Sequence, residues 1–327
     1  MAMTLKELAI KKPVALDLYR KMVLIRRFEE KASEMYGRAK IGGFLHLYIG
    51  EEAVAVGTIP PLEPRDYIVT HYREHGHALA RGLETRRIMA ELFGKATGTS
   101  KGKGGSMHLF DASKGFMGGY AIVGAMMPIA TGLALASNYR DEGRICLCIF
   151  GDGAVNEGEF HESFNLAALW KLPVLFLLEN NGFGMGTSVK RAHAGKEMCH
   201  LADAFGIPSE MVDGMDVLAV REAAIRAINH VRAGNGPFFL EAITYRFRGH
   251  SMADPVAYRD KEEEQQWKRR DPVVTFRREL LQSRAASEEK IAKIEHSVDE
   301  EIAEAVAFAD ASPNPAHDEM FKDIYRE

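Results

Sequence analysis

Two hydrophobic rhythms divide the chain. Near the start, Leu16, Tyr19, Val23 and Phe28 return at roughly helical spacing among charged residues, which predicts an amphipathic helix. Residues 79–93 repeat that pattern. The centre differs. Short, nearly uninterrupted apolar runs at 145–150, 174–179 and 238–244 alternate with helical stretches at 160–169 and 219–233. Runs of that length between turn formers read as strands buried on both faces. Strands alternating with helices predict an α/β fold, a parallel sheet with helices on both faces. Ligands of such sheets gather at the carboxyl ends of the strands.

Elsewhere the pattern is weaker. Pro60, Pro61 and Pro64 mark a break, and residues 67–70 read as a short strand after it. Glycine-rich segments at 42–50, 98–105 and 115–119 read as loops. Beyond Ser251 the chain becomes charge-rich, with a loop-like piece at 254–259 and then helices. A single domain over residues 1–327 is expected, with a helical N-terminal segment at about 1–40 and a helical tail at about 260–327.

Residues 121–137 carry no charge. A membrane-spanning helix needs roughly 20 apolar residues, and this run holds Gly124, Pro128, Thr131 and Gly132. A core helix starting near Pro128 is expected instead, and no membrane partner. The 327 residues are 46% hydrophobic and 27% charged, with a formal charge of −4. That balance suits an ordinary globular protein and gives no field for nucleic acid. Cys146, Cys148 and Cys199 are too few for a disulfide framework; the first two alternate in a strand and read as buried thiols. Residues 1–13 are basic without an apolar core, unlike a secretory signal, so a cytoplasmic setting is expected.

The chemistry concentrates between Gly151 and Asn181. One strand ends in Gly151-Asp152-Gly153-Ala154, and the next ends in Glu179-Asn180-Asn181. Glycines between a strand and a helix let the backbone approach a phosphate. A dinucleotide site would use the same device, with Glu179 as its ribose-binding acid. Asp152 argues otherwise, because a carboxylate repels a diphosphate. A divalent cation between them removes the conflict. Asp152, the Asn181 amide oxygen, a main-chain carbonyl and water make the hard oxygen set that Mg²⁺ takes.

Gly-Asp-Gly followed about thirty residues later by Asn-Asn resembles the thiamine-diphosphate signature. Further words resemble the α subunits of thiamine-diphosphate-dependent 2-oxoacid dehydrogenases over about residues 23–270. They include Gly43-Phe44-Leu45-His46-Leu47-Tyr48-Ile49-Gly50-Glu51-Glu52-Ala53, Tyr72-Arg73 and Lys103-Gly104-Gly105-Ser106-Met107-His108. They continue with Ile122-Val123-Gly124-Ala125, Gly184-Met185-Gly186-Thr187-Ser188 and Tyr245-Arg246-Phe247-Arg248-Gly249-His250-Ser251.

The resemblance implies thiamine diphosphate and Mg²⁺ as cofactors. It makes Asp152, Asn181 and the Phe183 carbonyl the metal ligands. Gly151, Gly153 and Ala154 offer backbone to the diphosphate, and Tyr72 and Arg73 bind it, Arg73 by forking onto two oxygens. Ala121 and Val123 fall where backbone atoms hold the aminopyrimidine, with Ala121 standing where many relatives have glycine. Met185 falls where a bulky side chain supports the bent cofactor. His250 is implied at the cofactor and His46 at the substrate channel, the two expected catalytic histidines. His108 reads either as structural or as supporting a residue that touches the cofactor. A zinc site on His71, His75 and His77 is the alternative reading of those residues, with no cysteine or acidic cluster in sequence to support it.

Family members decarboxylate a 2-oxoacid and pass the acyl group to a lipoyl-bearing acyltransferase. The pyrimidine-side glutamate is not identified here: Glu157 and Glu159 sit beside the phosphate turn. In the family it belongs to a β subunit, implying two α and two β chains. Gly184-Met185-Gly186-Thr187-Ser188 and Gly249-His250-Ser251-Met252-Ala253-Asp254-Pro255 are of the pyruvate type. Leu45 is shared with acetoin enzymes, which stand as the alternative. A structural subunit without cofactor is the alternative of another class. Ser251 matches a regulatory serine of some relatives.

Overall fold

The structure, a computed structural model, describes residues 4–195 and 197–324. It opens with helix α1 (Lys12–Gly37), which has a proline in its first turn, where the missing N–H costs nothing. Its buried side chains, among them Leu18, Met22, Ile25 and Phe28, recur every three or four residues. Helix α2 (Glu52–Thr58) leads to strand β1 (Tyr67–His71), helices α3 (His75–Arg81) and α4 (Thr85–Leu92), and strand β2 (Phe116–Tyr120). Then come α5 (Met126–Tyr139), β3 (Cys146–Gly151), α6 (Gly158–Leu169) and β4 (Val174–Asn180). A small hairpin, β5 (Phe183–Gly184) with β6 (Thr187–Ser188), precedes α7 (Val189–Ala192). Strand β7 (Ser209–Asp213), helix α8 (Val217–Arg232) and strand β8 (Phe238–Ile243) complete the α/β part. The tail is helical: α9 (Lys261–Lys268), α10 (Pro272–Gln282) and α11 (Glu288–Ala311).

Six strands form one parallel sheet in the order β2-β1-β3-β4-β8-β7. Alternation along the strands divides the apolar side chains between two cores. Leu147, Ile149, Leu175, Leu177 and Leu240 face α1, α2, α8, α10 and α11. Cys146, Cys148, Phe150, Phe176, Leu178 and Phe239 face α5 and α6. Phe164 stacks on Phe160 at 4.0 Å and on Phe176 at 4.3 Å between ring centroids, tying α6 to the sheet. All three cysteines are buried free thiols, as expected of Cys146 and Cys148.

Three local expectations are corrected. The helix expected over 79–93 is two helices, because Gly82 adopts a left-handed conformation (φ 88°) and ends α3. The glycine-rich segment 115–119 is largely strand β2, not a loop. Its glycines serve packing: a Cβ at Gly119 would stand 2.0 Å from the Glu74 carboxylate. The uncharged helix α5 begins at Met126, so Pro128 lies in the first turn, where N–H groups have no intrahelical partner anyway. Only one face of α5 is buried. Strand β7 escaped the sequence reading, because its partly exposed Ser-Glu-Met-Val-Asp run has no apolar core. Among the described residues no helix is long and apolar enough to cross a membrane.

The topology fixes where a ligand belongs. From β1 the chain moves outward to β2; from β3 it moves the other way to β4. The crevice between the carboxyl ends of β1 and β3 is therefore the switch point of the sheet.

Candidate functional site

A cavity of about 240 Å³ occupies that crevice. Strand β1 contributes His71 and, just beyond it, Tyr72 and Arg73. The turn after β3 contributes Gly151, Asp152, Gly153 and Ala154, and the segment after β4 contributes Asn181, Phe183 and Met185. Val123 also lines it. Of the residues expected at the cofactor, Ala121 does not line the cavity, although it is two residues from Val123. His46 and His250 do not line it either. Their rings pack against Tyr72 at 4.7 and 5.7 Å and against each other at 5.1 Å. His108 bonds the Gly119 carbonyl at 3.0 Å, a structural contact.

Asp152 is buried in the one-turn 3₁₀ helix that joins β3 to α6. Burial pushes its carboxyl up to about 6, against backbone N–H groups and the charge of Arg246. Gly153 lies against the β5 hairpin, where a Cβ on it would be in ordinary contact with the Gly184 Cα at 3.6 Å. Asn181 donates from its side-chain nitrogen to Glu51 at 3.0 Å, and its oxygen accepts the Phe183 N–H at 3.3 Å. The Asn181 nitrogen only donates, so the Glu51 oxygen accepts it and the amide oxygen turns away from Glu51. Glu51 itself is buried, and its second oxygen has no hydrogen-bond partner. Burial and Glu179 push its carboxyl up to about 7, with Arg73 and Arg246 opposing.

Arg73 departs from expectation. Its terminal nitrogens donate to the Leu47 and His250 carbonyls, both at 2.8 Å, so its fork is spent on two backbone segments. What it supplies to the crevice is charge. Arg246, which the sequence reading did not single out, supplies more: it lines the cavity, is 2% exposed, and bonds the carbonyls of Arg248 at 3.2 Å and Met185 at 3.4 Å. Burial and Arg246 push Arg73 down to about 10. Burial and these same arginines push His250 down to about 4. Two buried guanidiniums that disfavour each other call for an anion.

Glu179, which also lines the cavity, accepts from His71 Nε2 at 2.8 Å, from His77 Nε2 at 2.9 Å and from the Tyr48 hydroxyl. Burial alone would raise this carboxyl; His77 and His71 hold it below the usual carboxylate range. His71, His77 and Glu179 are close enough to hold a metal. An acidic partner for these histidines therefore exists, although it is far away in sequence. The hydrogen bonds decide against zinc. His71 Nδ1 accepts the Arg73 N–H at 3.1 Å, so Nε2 carries the proton and has no lone pair to offer. His75 turns away, to Glu29.

Comparison with known proteins agrees with this geometry. Residues 20–318 match the family described as "Dehydrogenase E1 component". The chain belongs to that family. It is 50% identical over 310 residues to the pyruvate dehydrogenase E1 component subunit alpha of Rhizobium meliloti, covering 94% of this chain and 89% of the relative. It is 49% identical to the protein of the same name from Zymomonas mobilis, over 94% and 88%. The one from Porphyra purpurea is 44% identical, over 95% and 93%.

Sequence reasoning left out Glu51 and Arg246 and read Glu179 only as a possible ribose-binding acid, for one cause: their roles depend on partners 130, 61 and 108 residues away. One signal was available: a glutamate closing an apolar strand, as Glu179 closes β4, must find buried donors. The E1 chain also carries an apolar face outside the crevice. Ile122, Leu135, Tyr139, Leu169 and Trp170 are exposed on and beside α5 and α6, Tyr139 by 90%.

Proposed function

We propose that this E1 chain is the α subunit of a pyruvate dehydrogenase, holding the diphosphate and Mg²⁺ end of thiamine diphosphate, with a β subunit completing the site. The observation that carries this reading is the placement of buried Asp152 and Asn181 on adjacent strand ends at the switch point, facing two buried arginines. The donor set fits the group. Asp152, the Asn181 oxygen and the Phe183 carbonyl are hard oxygens suited to Mg²⁺. Arg73, Arg246 and the turn at Gly153 and Ala154 suit a diphosphate. Thiamine diphosphate, when bound, supplies a nucleophilic carbon that decarboxylates 2-oxoacids.

This chain's residues hold and orient. Glu51 fixes the Asn181 amide; Glu179 fixes His71, which takes the Arg73 N–H; Arg73 draws the His46 and His250 segments together. Both histidines are held neutral: burial pushes His46 down to about 2 and His250 to about 4. Each keeps a buried Nδ1 without a partner. An imidazole held neutral this firmly does not carry a proton near neutral pH; it can receive a hydrogen bond from substrate beside the cavity. Val123 and Met185, exposed at the mouth, support the cofactor's rings from this side, and the backbone at Ala121, two residues earlier, holds the aminopyrimidine. The apolar face around α5 is the surface for the β subunit in a two-α, two-β assembly, and the acyl group passes to a lipoyl-bearing acyltransferase. The whole chain acts as one domain, in the cytoplasm, where its three thiols stay reduced.

The test is reconstitution with the β chain, thiamine diphosphate and Mg²⁺, read with an artificial electron acceptor. Pyruvate should be turned over faster than acetoin or branched 2-oxoacids, and the α chain alone should be inactive. Equal turnover by the lone chain would contradict the half-site, and a preference for acetoin would contradict the substrate.

A further inference from the structure

We propose that Glu29, His75 and Ser106 form a buried positioning network that sets the backbone of His46 and thereby the direction of its ring. The proposal deepens the reading above and rests on His46 facing substrate.

The network is continuous. The His46 N–H points to Ser106 Oγ at 3.4 Å, a long contact. Ser106 Oγ lies 2.9 Å from His75 Nε2, and His75 Nδ1 lies 2.9 Å from Glu29. The carboxylate accepts, so Nδ1 carries a proton, and Nε2 lies against both the Ser106 hydroxyl and, at 3.1 Å, the Ser106 carbonyl, so that His75 meets Ser106 at both its oxygens. The other Glu29 oxygen takes the Tyr48 N–H at 3.0 Å. The chain of bonds thus starts at the backbone of residue 46 and returns to the backbone of residue 48. Between them, the Leu47 carbonyl accepts from Arg73. Three successive backbone groups are held, each by a different polar side chain.

His46 needs this support. Its Nδ1 is buried without a hydrogen-bond partner, and its ring packs against the rings of Tyr72 and His250. Ring contacts of this kind limit position loosely, so the backbone must fix the direction. Glu29 and His75 are fully buried, and Ser106 nearly so. An apolar trio could fill the same volume without desolvating a carboxylate. What apolar residues cannot do is hold the 46 and 48 amides at a chosen angle.

A double-mutant cycle in the reconstituted holoenzyme separates positioning from mere packing. Ser106→Ala should raise KM for pyruvate about fivefold, the effect of one lost hydrogen bond. Thiamine diphosphate affinity, measured by calorimetry, should stay within about twofold. On a His46→Gln background, the Ser106→Ala step should change KM by less than about twofold, because the group it positions is gone. If Ser106→Ala does not assemble, the isosteric Glu29→Gln carries the same cycle. The proposal fails if the KM effect persists in full on the His46→Gln background, or if the single change has no effect while His46→Gln does. If His46→Gln alone alters neither KM nor kcat, the reading of His46 itself falls, identified by that single variant, and the proposal falls with it.

Discussion

The two histidines beside the cavity sit on segments built in opposite ways. The 45–50 segment is bolted down. Glu29 and Arg73 take its backbone, Tyr48 reaches Glu179, and its side chains from Leu45 to Ile49 are buried. The 248–259 segment is gathered around one side chain. Asp254 accepts the His250 N–H at 2.6 Å, the Tyr258 hydroxyl at 2.6 Å and the Val256 N–H at 2.9 Å. Val256 has φ 58°, a conformation costly for a β-branched residue. The contrast teaches that one histidine is tied in through many separate partners, whereas the other sits on a loop whose own bonds converge on Asp254, so loosening that one side chain should free it. Arg73 touches both, through Leu47 and His250, and two backbone bonds also join them: Phe247 N–H to Ile49 and Met252 N–H to Leu45.

The largest effect should come from removing what they share. Arg73→Met leaves the Leu47 and His250 carbonyls without a charged donor and Glu51 without its nearest cation. We expect a stability loss of about 3 kcal/mol or more in thermal or denaturant unfolding, together with loss of protection in both segments by hydrogen exchange. Loss confined to one segment would break the picture of Arg73 as the link.

Asp254→Ala should act on one side only. Nicking between residues 248 and 259 by protease should accelerate, with about 1.5–2 kcal/mol lost locally, while exchange at residues 46 and 48 stays slow. Bound cofactor and Mg²⁺ should slow the nicking of wild-type protein. Equal loosening of both segments would show that they form one unit. The smallest effect is a gain. Val256→Gly removes a left-handed strain of about 1 kcal/mol, part of it offset by the glycine's greater freedom when unfolded. Cleavage of the loop should therefore slow slightly. Faster cleavage would show that Val256 is held by packing and not strained.

Much of the fold was legible because its signals are local. The β3, β4 and β8 runs are apolar on both faces, and their ends fell within a residue or so of expectation. Asp152 and Asn181 were legible for a related reason: each closes such a strand, so parallel pairing had to bring them to one edge. Glycine misled in both directions. Gly118 and Gly119 suggested a loop where Glu74 needed room beside a strand, and Gly82 broke a helix whose apolar rhythm continued past it. The polar networks behind the site were illegible, because Glu179 meets His71 and Tyr48 across 108 and 131 residues and no local rhythm records such a meeting. Arg73 shows a subtler limit. Its place at the cavity could be read, but not that its fork would hold two carbonyls.

The most direct test of the half-site is calorimetry of thiamine diphosphate binding to the reconstituted enzyme, with and without Mg²⁺, for wild type and Asp152→Asn. The fold raises the Asp152 carboxyl from 3.8 to about 6. Its protonated form is therefore favoured, and the stability this gives is complete below 3.8 and lost as pH rises through 6. A cation needs the ionised form. Wild-type affinity should thus depend on Mg²⁺ and weaken about fivefold between pH 6 and pH 5. Asp152→Asn should weaken binding at pH 7 and abolish both dependences. Unchanged affinity in Asp152→Asn, or wild-type binding indifferent to Mg²⁺, would contradict the assignment of Asp152 as the metal ligand.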